Sequence, residues 1–162
     1  SPKTFEGVPF HLVDPQGGRA ANAIMLYSPN GTYPPRMPKS VSLTVNSPAK
    51  AVHFLSGVAG WAAKEPRTNG TVSMIVRLHY QDGRTEDHPL YNGRHFADYI
   101  GPFDVPESKL AYRLRGQQVR YLAVHPKTTT DVAKLELIKG QDNTAPIVMA
   151  VTIETTEPER AP

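Results

Sequence analysis

Cysteine is absent from this 162-residue chain. A disulfide framework and a thiolate metal site are therefore both excluded. No stretch approaches the ~20 consecutive apolar residues of a membrane-spanning helix, so we expect no membrane span. Clusters of cations are missing too, because eighteen Lys and Arg alternate with fifteen Asp and Glu and leave a net charge of +3. Nucleic-acid binding depends on clustered Lys and Arg, so we expect no nucleic-acid partner.

Long helical patterns are also lacking. Sixteen Pro and twelve Gly are spread along the chain and impose frequent reversals. What is present is a succession of about nine or ten short segments with strand periodicity. This pattern is typical of all-β proteins and predicts an antiparallel two-sheet β-sandwich of the jelly-roll class. We expect one domain over residues 1–154 and a disordered tail over residues 155–162.

The clearest local signal lies between Val72 and Tyr99. Apolar side chains recur at every second position from Val72 to Tyr80, which predicts a strand with one buried face. Asp82-Gly83 follows and predicts a hairpin with a type I′ turn, in which both central residues have positive φ. The next run is rich in polar and aromatic side chains. Loops of this kind on a rigid scaffold often carry function, so we expect a binding region there.

Catalytic motifs are not evident. The sequence has no G-x-S-x-G elbow, P-loop or Rossmann glycine pattern. Its six histidines show neither H-x-H nor H-x-x-x-H spacing, which leaves open only a zinc site assembled from distant strands. Glu86 and Asp87 are adjacent, so in a strand they point to opposite faces and cannot act together on a glycosidic bond. We therefore expect a protein that is not an enzyme.

An ordered series of segments resembles one family. The segments are Ala51-Val52-His53-Phe54-Leu55-Ser56-Gly57, Ala59-Gly60-Trp61, Val76-Arg77-Leu78-His79-Tyr80-Gln81-Asp82-Gly83, Tyr121-Leu122-Ala123-Val124-His125-Pro126 and Ala145-Pro146-Ile147-Val148-Met149-Ala150-Val151-Thr152. Together they are similar to the galactose-binding-domain-like β-sandwich modules of large secreted bacterial proteins, over the range Phe10 to Glu154. The resemblance implies a carbohydrate-binding-module-like role without catalysis. Tyr99 and Tyr121 stand where related modules often carry Trp.

Sugar recognition needs an aromatic face for the pyranose ring and planar polar groups for its hydroxyls. The residues that supply these groups are Trp61, Arg77, His79, Tyr91, Asn92, Arg94, His95, Asp98 and Tyr99. Trp61 offers the best aromatic face, although it could equally be a core residue. Arg77 and His79 share one strand face, and with Arg120 and Asp98 they would suit an acidic or hydroxyl-rich glycan. The alternative is a solvated sheet face with incidental ion pairs.

The resemblance also implies a structural calcium ion between the first loop and the last strand, with oxygen ligands available at Asp14, Asn22 and Glu154. The spacing in Asp14-Pro15-Gln16-Gly17-Gly18 does not reproduce a recognisable series of ligands, so we expect no cofactor and keep this calcium ion as the alternative. The sequence thus predicts a glycan-binding accessory module of a larger secreted bacterial protein, located in the periplasm, at the cell surface or outside the cell. Its partners would be a polysaccharide and neighbouring domains of the same polypeptide. The alternative is a scaffolding domain that docks against a neighbouring catalytic or haem-bearing domain.

Overall fold

The structure is a computed structural model that describes residues 2–60 and 70–155. Trp61 and most of the expected tail, residues 156–162, lie outside the described residues. The described chain is all-β, with two short 3₁₀ helices at Gln16–Gly18 and Pro34–Arg36. Its strands are β1 Lys3–Phe5, β2 Val8–Phe10, β3 Ile24–Met25, β4 Ser40–Ser47, β5 Ala51–Ala59, β6 Val72–Tyr80, β7 Thr85–Tyr91, β8 Lys109–Leu114, β9 Gln117–Val124, β10 Val132–Lys139 and β11 Ala145–Glu154. Neither of these helices is long and apolar enough to cross a membrane.

Two antiparallel sheets form a β-sandwich, as predicted. One sheet has the strand order β4-β10-β6-β7, and the other has the order β3-β11-β5-β9-β8. Strand pairing within the two sheets is nested along the chain, because β6 pairs with β7, β5 with β9, β4 with β10 and β3 with β11. The hairpin of β1 and β2 forms a separate two-stranded sheet.

The main core lies between the two sheets. The apolar face predicted for β6 is confirmed, since Met74, Val76, Leu78 and Tyr80 are all buried. They pack with side chains of both sheets, including Val52, Phe54, Leu122, Leu135 and Leu137. Full burial of an aliphatic side chain of this size contributes about 1.5–3 kcal/mol, so this layer dominates the stability of the domain.

A second apolar cluster covers the outer face of the five-stranded sheet. Phe10 from β2 is fully buried against Leu55, and the ring of Phe5 from β1 packs on Tyr121, with centroids 5.1 Å apart and planes tilted by 48°. The apolar residues between Phe5 and Val13 predict one opening edge strand interrupted by Pro9, and this prediction is wrong because the segment forms a hairpin. Glu6 and Gly7 both have positive φ, 51° and 77°, which folds the segment into a type I′ hairpin lying on the sheet.

The central hairpin of β6 and β7 is confirmed, but its predicted type I′ turn is wrong. The amide of Tyr80 donates to the carbonyl of Arg84 at 2.9 Å, and the amide of Gly83 donates to the carbonyl of Tyr80 at 3.0 Å. Of the two turn residues, only Gly83 has positive φ, at 87°. The loop therefore holds three residues, with the glycine in the left-handed position that such loops favour.

The small residues of the segment 56–61 predict a loop, and this prediction is wrong for residues 56–59, which continue β5 as far as Ala59. Every residue of β5 is buried, and its small side chains allow a neighbouring segment of the polypeptide to approach closely. At Gly57 a Cβ atom would lie 3.4 Å from Cβ of Tyr99. Composition alone suggested a loop because Gly and Ala are poor strand formers, but here close packing outweighs that preference.

A buried ion pair fixes the turn between β10 and β11. Lys139 Nζ lies 2.8 Å from Asp142 Oδ1, and both side chains are almost fully buried. Asp142 Oδ2 accepts a hydrogen bond from Ser73 Oγ at 2.5 Å, and Oδ1 accepts one from Thr144 Oγ1 at 2.7 Å. The turn is thereby joined to the start of β6.

Candidate functional site

The loop that follows β7 is tightly folded. The carbonyl of Tyr91 accepts hydrogen bonds from the amides of His95 at 2.9 Å and Phe96 at 3.1 Å. The amide of Gly93 donates to the carbonyl of Phe96 at 2.8 Å, and the Phe96 side chain is buried in the core. A loop closed by its own backbone and anchored by one aromatic side chain can hold its other side chains in fixed positions.

Three side chains of this loop and one from a later segment form what we call the Tyr91 cluster: Tyr91, Arg94, His95 and Glu107. Arg94 Nε and Nη2 both bind Glu107 Oε1, at 2.7 and 2.6 Å. The amide of Glu107 also donates to the carbonyl of Arg94 at 2.9 Å. The ion pair remains accessible, since the side chains of Arg94 and Glu107 are 56% and 43% exposed.

Ring and guanidinium planes lie together in this cluster. The rings of Tyr91 and His95 stack with centroids 5.9 Å apart and planes 26° apart. The Arg94 guanidinium carbon lies 5.9 Å from the centroid of the Tyr91 ring, within range of a cation–π contact. The cluster therefore presents planar groups that carry hydrogen-bond donors and acceptors at their edges.

The hydrogen bonds of His95 identify its tautomer. Its Nδ1 lies 3.0 Å from the amide nitrogen of Tyr91, which can only donate, so Nδ1 accepts and Nε2 carries the proton. Nε2 lies 3.2 Å from Glu107 Oε2. Burial lowers the pKa of His95, and the hydrogen bond from Arg94 lowers the pKa of Glu107. At neutral pH the cluster thus holds a neutral imidazole beside one cation and one anion.

Arg120 positions the loop that carries Glu107. Its guanidinium is fully buried and donates to Ser108 Oγ and to the Ser108 carbonyl, each at 2.7 Å. It also donates to Asp104 Oδ1 at 2.7 Å and to the Val105 carbonyl at 3.3 Å. These bonds fasten residues 104–108 to the face of β9. Neither Glu107 nor this role of Arg120 was found from the sequence, because no local pattern marks contacts between such distant positions.

The predicted patch of Arg77, His79, Arg120 and Asp98 does not form. Arg77 and His79 lie on β6 of the four-stranded sheet, where Arg77 forms a bidentate ion pair with Asp87 at 2.7 and 2.9 Å. His79 Nε2 lies 2.9 Å from Glu136 Oε1. Arg120 belongs to β9 of the other sheet and is buried beneath residues 104–108. The prediction fails because shared residue chemistry says nothing about which sheet a strand joins.

Asn92, Asp98 and Tyr99 take part in hydrogen bonds that involve the backbone. Asn92 is buried, and its amide donates to the carbonyl of Thr71 at 3.0 Å. A carboxylate oxygen of Asp98 accepts a hydrogen bond from the amide of Ile100 at 2.9 Å. The amide of Tyr99 donates to the carbonyl of Val58 at 2.9 Å. The Tyr99 side chain lines a cavity of about 220 Å³ over the five-stranded sheet. Of the predicted ligand-binding residues, the structure therefore brings together Tyr91, Arg94 and His95.

The three predicted calcium ligands are divided between two grooves. Asp14 and Asn22 line a groove under the N-terminal hairpin, and Glu154 lines another beside His53. Glu154 Oε2 lies 2.9 Å from His53 Nε2, and Oε1 lies 3.4 Å from Lys50 Nζ. Within residues 2–60 and 70–155, no three His, Asp or Glu side chains are grouped so that they could hold a metal ion. The calcium site stays a prediction.

In comparisons with protein families, curated proteins and solved structures, nothing matches this chain. Function is therefore inferred from the site geometry described above.

Proposed function

We propose that this chain is a non-catalytic glycan-binding accessory module of a larger secreted bacterial protein. The observation that carries the proposal is the Tyr91 cluster, an accessible set of planar polar groups held in place by a rigid loop and a buried arginine. The segments that resemble galactose-binding-domain-like modules are the basis for proposing this ligand class and a periplasmic, cell-surface or extracellular location.

We also infer that the sandwich is a jelly roll. Support comes from the nested pairing of β3 with β11, β4 with β10, β5 with β9, and β6 with β7. A long hairpin whose paired arms are rolled between two sheets has this order, with β8 as an additional edge strand. In this architecture, variable loops on a fixed scaffold are the natural place for recognition.

The cluster can recognise vicinal hydroxyls. Arg94 directs two of its five N–H groups to Glu107, so the remaining donors can meet sugar oxygens. The carboxylate of Glu107 can accept from hydroxyl hydrogens while it stays paired with Arg94. Tyr91 supplies apolar area beside these groups, as sugar recognition requires.

The charge state of the Tyr91 cluster supports binding without hydrolysis at this site. A glycosidase needs one carboxyl group that keeps its proton near neutral pH. Arg94 holds Glu107 ionised by lowering the pKa of its carboxyl group. Glu107 therefore has no proton to give to a leaving oxygen, and His95 is held neutral by burial and by its bond to the Tyr91 amide.

A glycan array screened with the purified chain tests the proposal. We expect retention of at least one glycan class, and loss of that signal in Arg94→Ala and Glu107→Ala. Arg84→Ala is the matched control, because Arg84 forms a similarly exposed ion pair with Asp82 away from the cluster. Trp61→Ala adds a second arm that should weaken retention without unfolding the domain. If both cluster variants still retain the glycan, the binding site lies elsewhere on the chain. An array with no signal would overturn the proposal.

A second candidate function is docking against a neighbouring catalytic or haem-bearing domain. It is favoured by large apolar side chains exposed on and beside β8: Ile100, Phe103, Leu110 and Leu114. Hydrogen exchange of the chain alone and joined to its neighbouring domain would test it. Protection of β8 amides in the joined protein is expected for docking, and unchanged exchange would exclude it.

A further inference from the structure

Strand β8 is an open sheet edge. It is the last strand of the order β3-β11-β5-β9-β8, and within the described residues it is hydrogen-bonded through its backbone to β9 alone. Half of its backbone donors and acceptors therefore face outward. Such an edge can template the addition of another strand, and proteins usually block it with short length, inward charges or covering loops. The six residues of β8 are long enough to pair.

Two grooves flank this edge. On the outer side, Ala111, Tyr112 and Leu114 line what we call the hairpin groove, about 730 Å³ in volume. Its other walls are largely apolar and include Phe5, Phe10, Leu12, Leu55 and Met149. On the other side, Leu110 and Arg113 line a groove of about 470 Å³ together with Phe103. Successive residues of an added strand would point alternately towards these two grooves.

The charged residues of β8 and of the turn that follows it are all basic. Lys109, Arg113 and Arg115 are exposed, and no acidic residue lies between Lys109 and Gln118. Lys109 Nζ lies 3.3 Å from Glu6 Oε2, whereas Arg113 and Arg115 form no ion pair among the described residues. A second copy of β8 paired edge to edge would bring these cations together, which is unfavourable. An acidic partner is therefore favoured over self-association.

We propose that β8 is a docking edge for an extended peptide segment in which apolar and acidic residues alternate. The segment adds to the five-stranded sheet as a sixth strand beside β8. Its apolar side chains enter the hairpin groove, and its acidic side chains meet Lys109 and Arg113 on the other side. Backbone hydrogen bonds give such strand addition its affinity, and pockets for alternate side chains give its specificity. This inference concerns a different surface from the Tyr91 cluster and does not depend on glycan binding.

A fluorescent hexapeptide of alternating Val and Glu is a suitable probe, since it matches β8 in length. We expect it to bind and to protect β8 amides from hydrogen exchange. Methylation of the peptide nitrogens in one alternate register should abolish binding, while methylation in the other should not, because only one set faces β8. The double variant Arg113→Glu, Arg115→Glu should weaken binding about tenfold. Arg84→Glu, an equally exposed arginine on another loop, should leave binding unchanged.

Several outcomes would overturn the docking edge. One is equal binding of both N-methylated peptides, which would mean contact without strand addition. Another is equal binding of a Val-Lys peptide, which would remove the charge argument. Protection of β8 at high protein concentration without peptide would identify a second copy as the occupant. The double variant Arg113→Glu, Arg115→Glu is also tested for glycan retention. This measurement distinguishes a failure of the docking edge from a failure of the Tyr91 cluster.

Discussion

Arg120 and Asp104 form an ion pair of unequal exposure. Their Nη2 and Oδ1 atoms are 2.7 Å apart, yet the Arg120 side chain is 1% exposed and the Asp104 side chain is 87% exposed. The guanidinium is therefore buried just below the surface. It donates most of its hydrogen bonds to backbone and hydroxyl oxygens. Its main contribution is to hold residues 104–108 rather than to form a surface charge pair.

Replacement of Arg120 by Met should be strongly destabilising. The substitution leaves buried oxygens of Ser108 and Val105 without donors, and unpaired buried groups of this kind together cost about 3 kcal/mol. Urea unfolding is the measurement. Asp104→Asn is the control, and it should leave the midpoint nearly unchanged because the carboxylate lies in solvent. If both variants lose the same stability, the surface pair rather than the buried network is responsible.

The sequence predicted the sandwich because its strand pattern is local. Alternation from Val72 to Tyr80 requires only that one face be buried, and the structure buries that face. The turn at Asp82-Gly83 was predicted wrongly because dipeptide composition does not determine loop length. The type I′ turns occur instead at Glu6-Gly7 and Arg115-Gly116, where both residues have positive φ.

The candidate site was only partly predictable for a related reason. Tyr91, Arg94 and His95 lie in one short loop, so sequence proximity revealed them. Glu107 lies in a later segment and reaches them through tertiary structure, which no local spacing encodes. Arg120 was assigned to a ligand patch because arginine is usually exposed, and only its buried contacts show its structural role.

Neutralisation of Asp142 should change both stability and its pH dependence. Burial tends to raise the pKa of Asp142, but hydrogen bonds from Lys139, Ser73 and Thr144 outweigh it, and the pKa lies below the ordinary 3.8. A lowered carboxyl pKa contributes stability above pH 3.8 that is lost as the pH falls through the folded-state value. Asp142→Asn should therefore lose about 3 kcal/mol at pH 7, because Lys139 becomes a buried unpaired charge.

The measurement for Asp142 is thermal unfolding between pH 7 and pH 2, in steps of about one unit. The variant should show a flatter acid limb than the parent protein. Asp87→Asn, which removes the exposed partner of Arg77, should change the melting temperature much less. An acid limb of unchanged slope in Asp142→Asn would show that this carboxylate is not the group responsible.

His95 should make the domain less stable as the solution is acidified. Because burial lowers its pKa, the unfolded chain takes up a proton below the ordinary value of 6.5 before the folded one does. Stability is thus complete above pH 6.5 and is lost as the pH falls towards the folded-state value. His95→Gln should flatten this dependence.

Nitrogen-resolved NMR of the imidazole rings provides the direct check on His95. The proton should reside on Nε2 at pH 7, as the bond from the Tyr91 amide to Nδ1 requires. A proton found on Nδ1, or a ring that is already charged at pH 7, would contradict the proposed charge state of the Tyr91 cluster.

Gly140 should tolerate no side chain. A Cβ atom there would lie 2.1 Å from the carbonyl oxygen of Val72, and backbone must move to relieve the clash. We expect Gly140→Ala to cost about 3 kcal/mol or to prevent folding. Gly83→Ala is the comparison, since its φ is 87° but no atom lies within 4 Å of the new Cβ. It should cost only about 1 kcal/mol, and a reversal of this order in urea unfolding would contradict the packing at Gly140.

The nested strand pairing also constrains how the polypeptide reaches its native state. β6 and β7 are adjacent in sequence and can pair early, whereas Ile24 of β3 must wait for Val148 of β11. On the ribosome, the five-stranded sheet stays incomplete until the last strand has emerged, because β11 lies between β3 and β5. Such high contact order predicts refolding over milliseconds to seconds, with a period in which unpaired strands are vulnerable to aggregation.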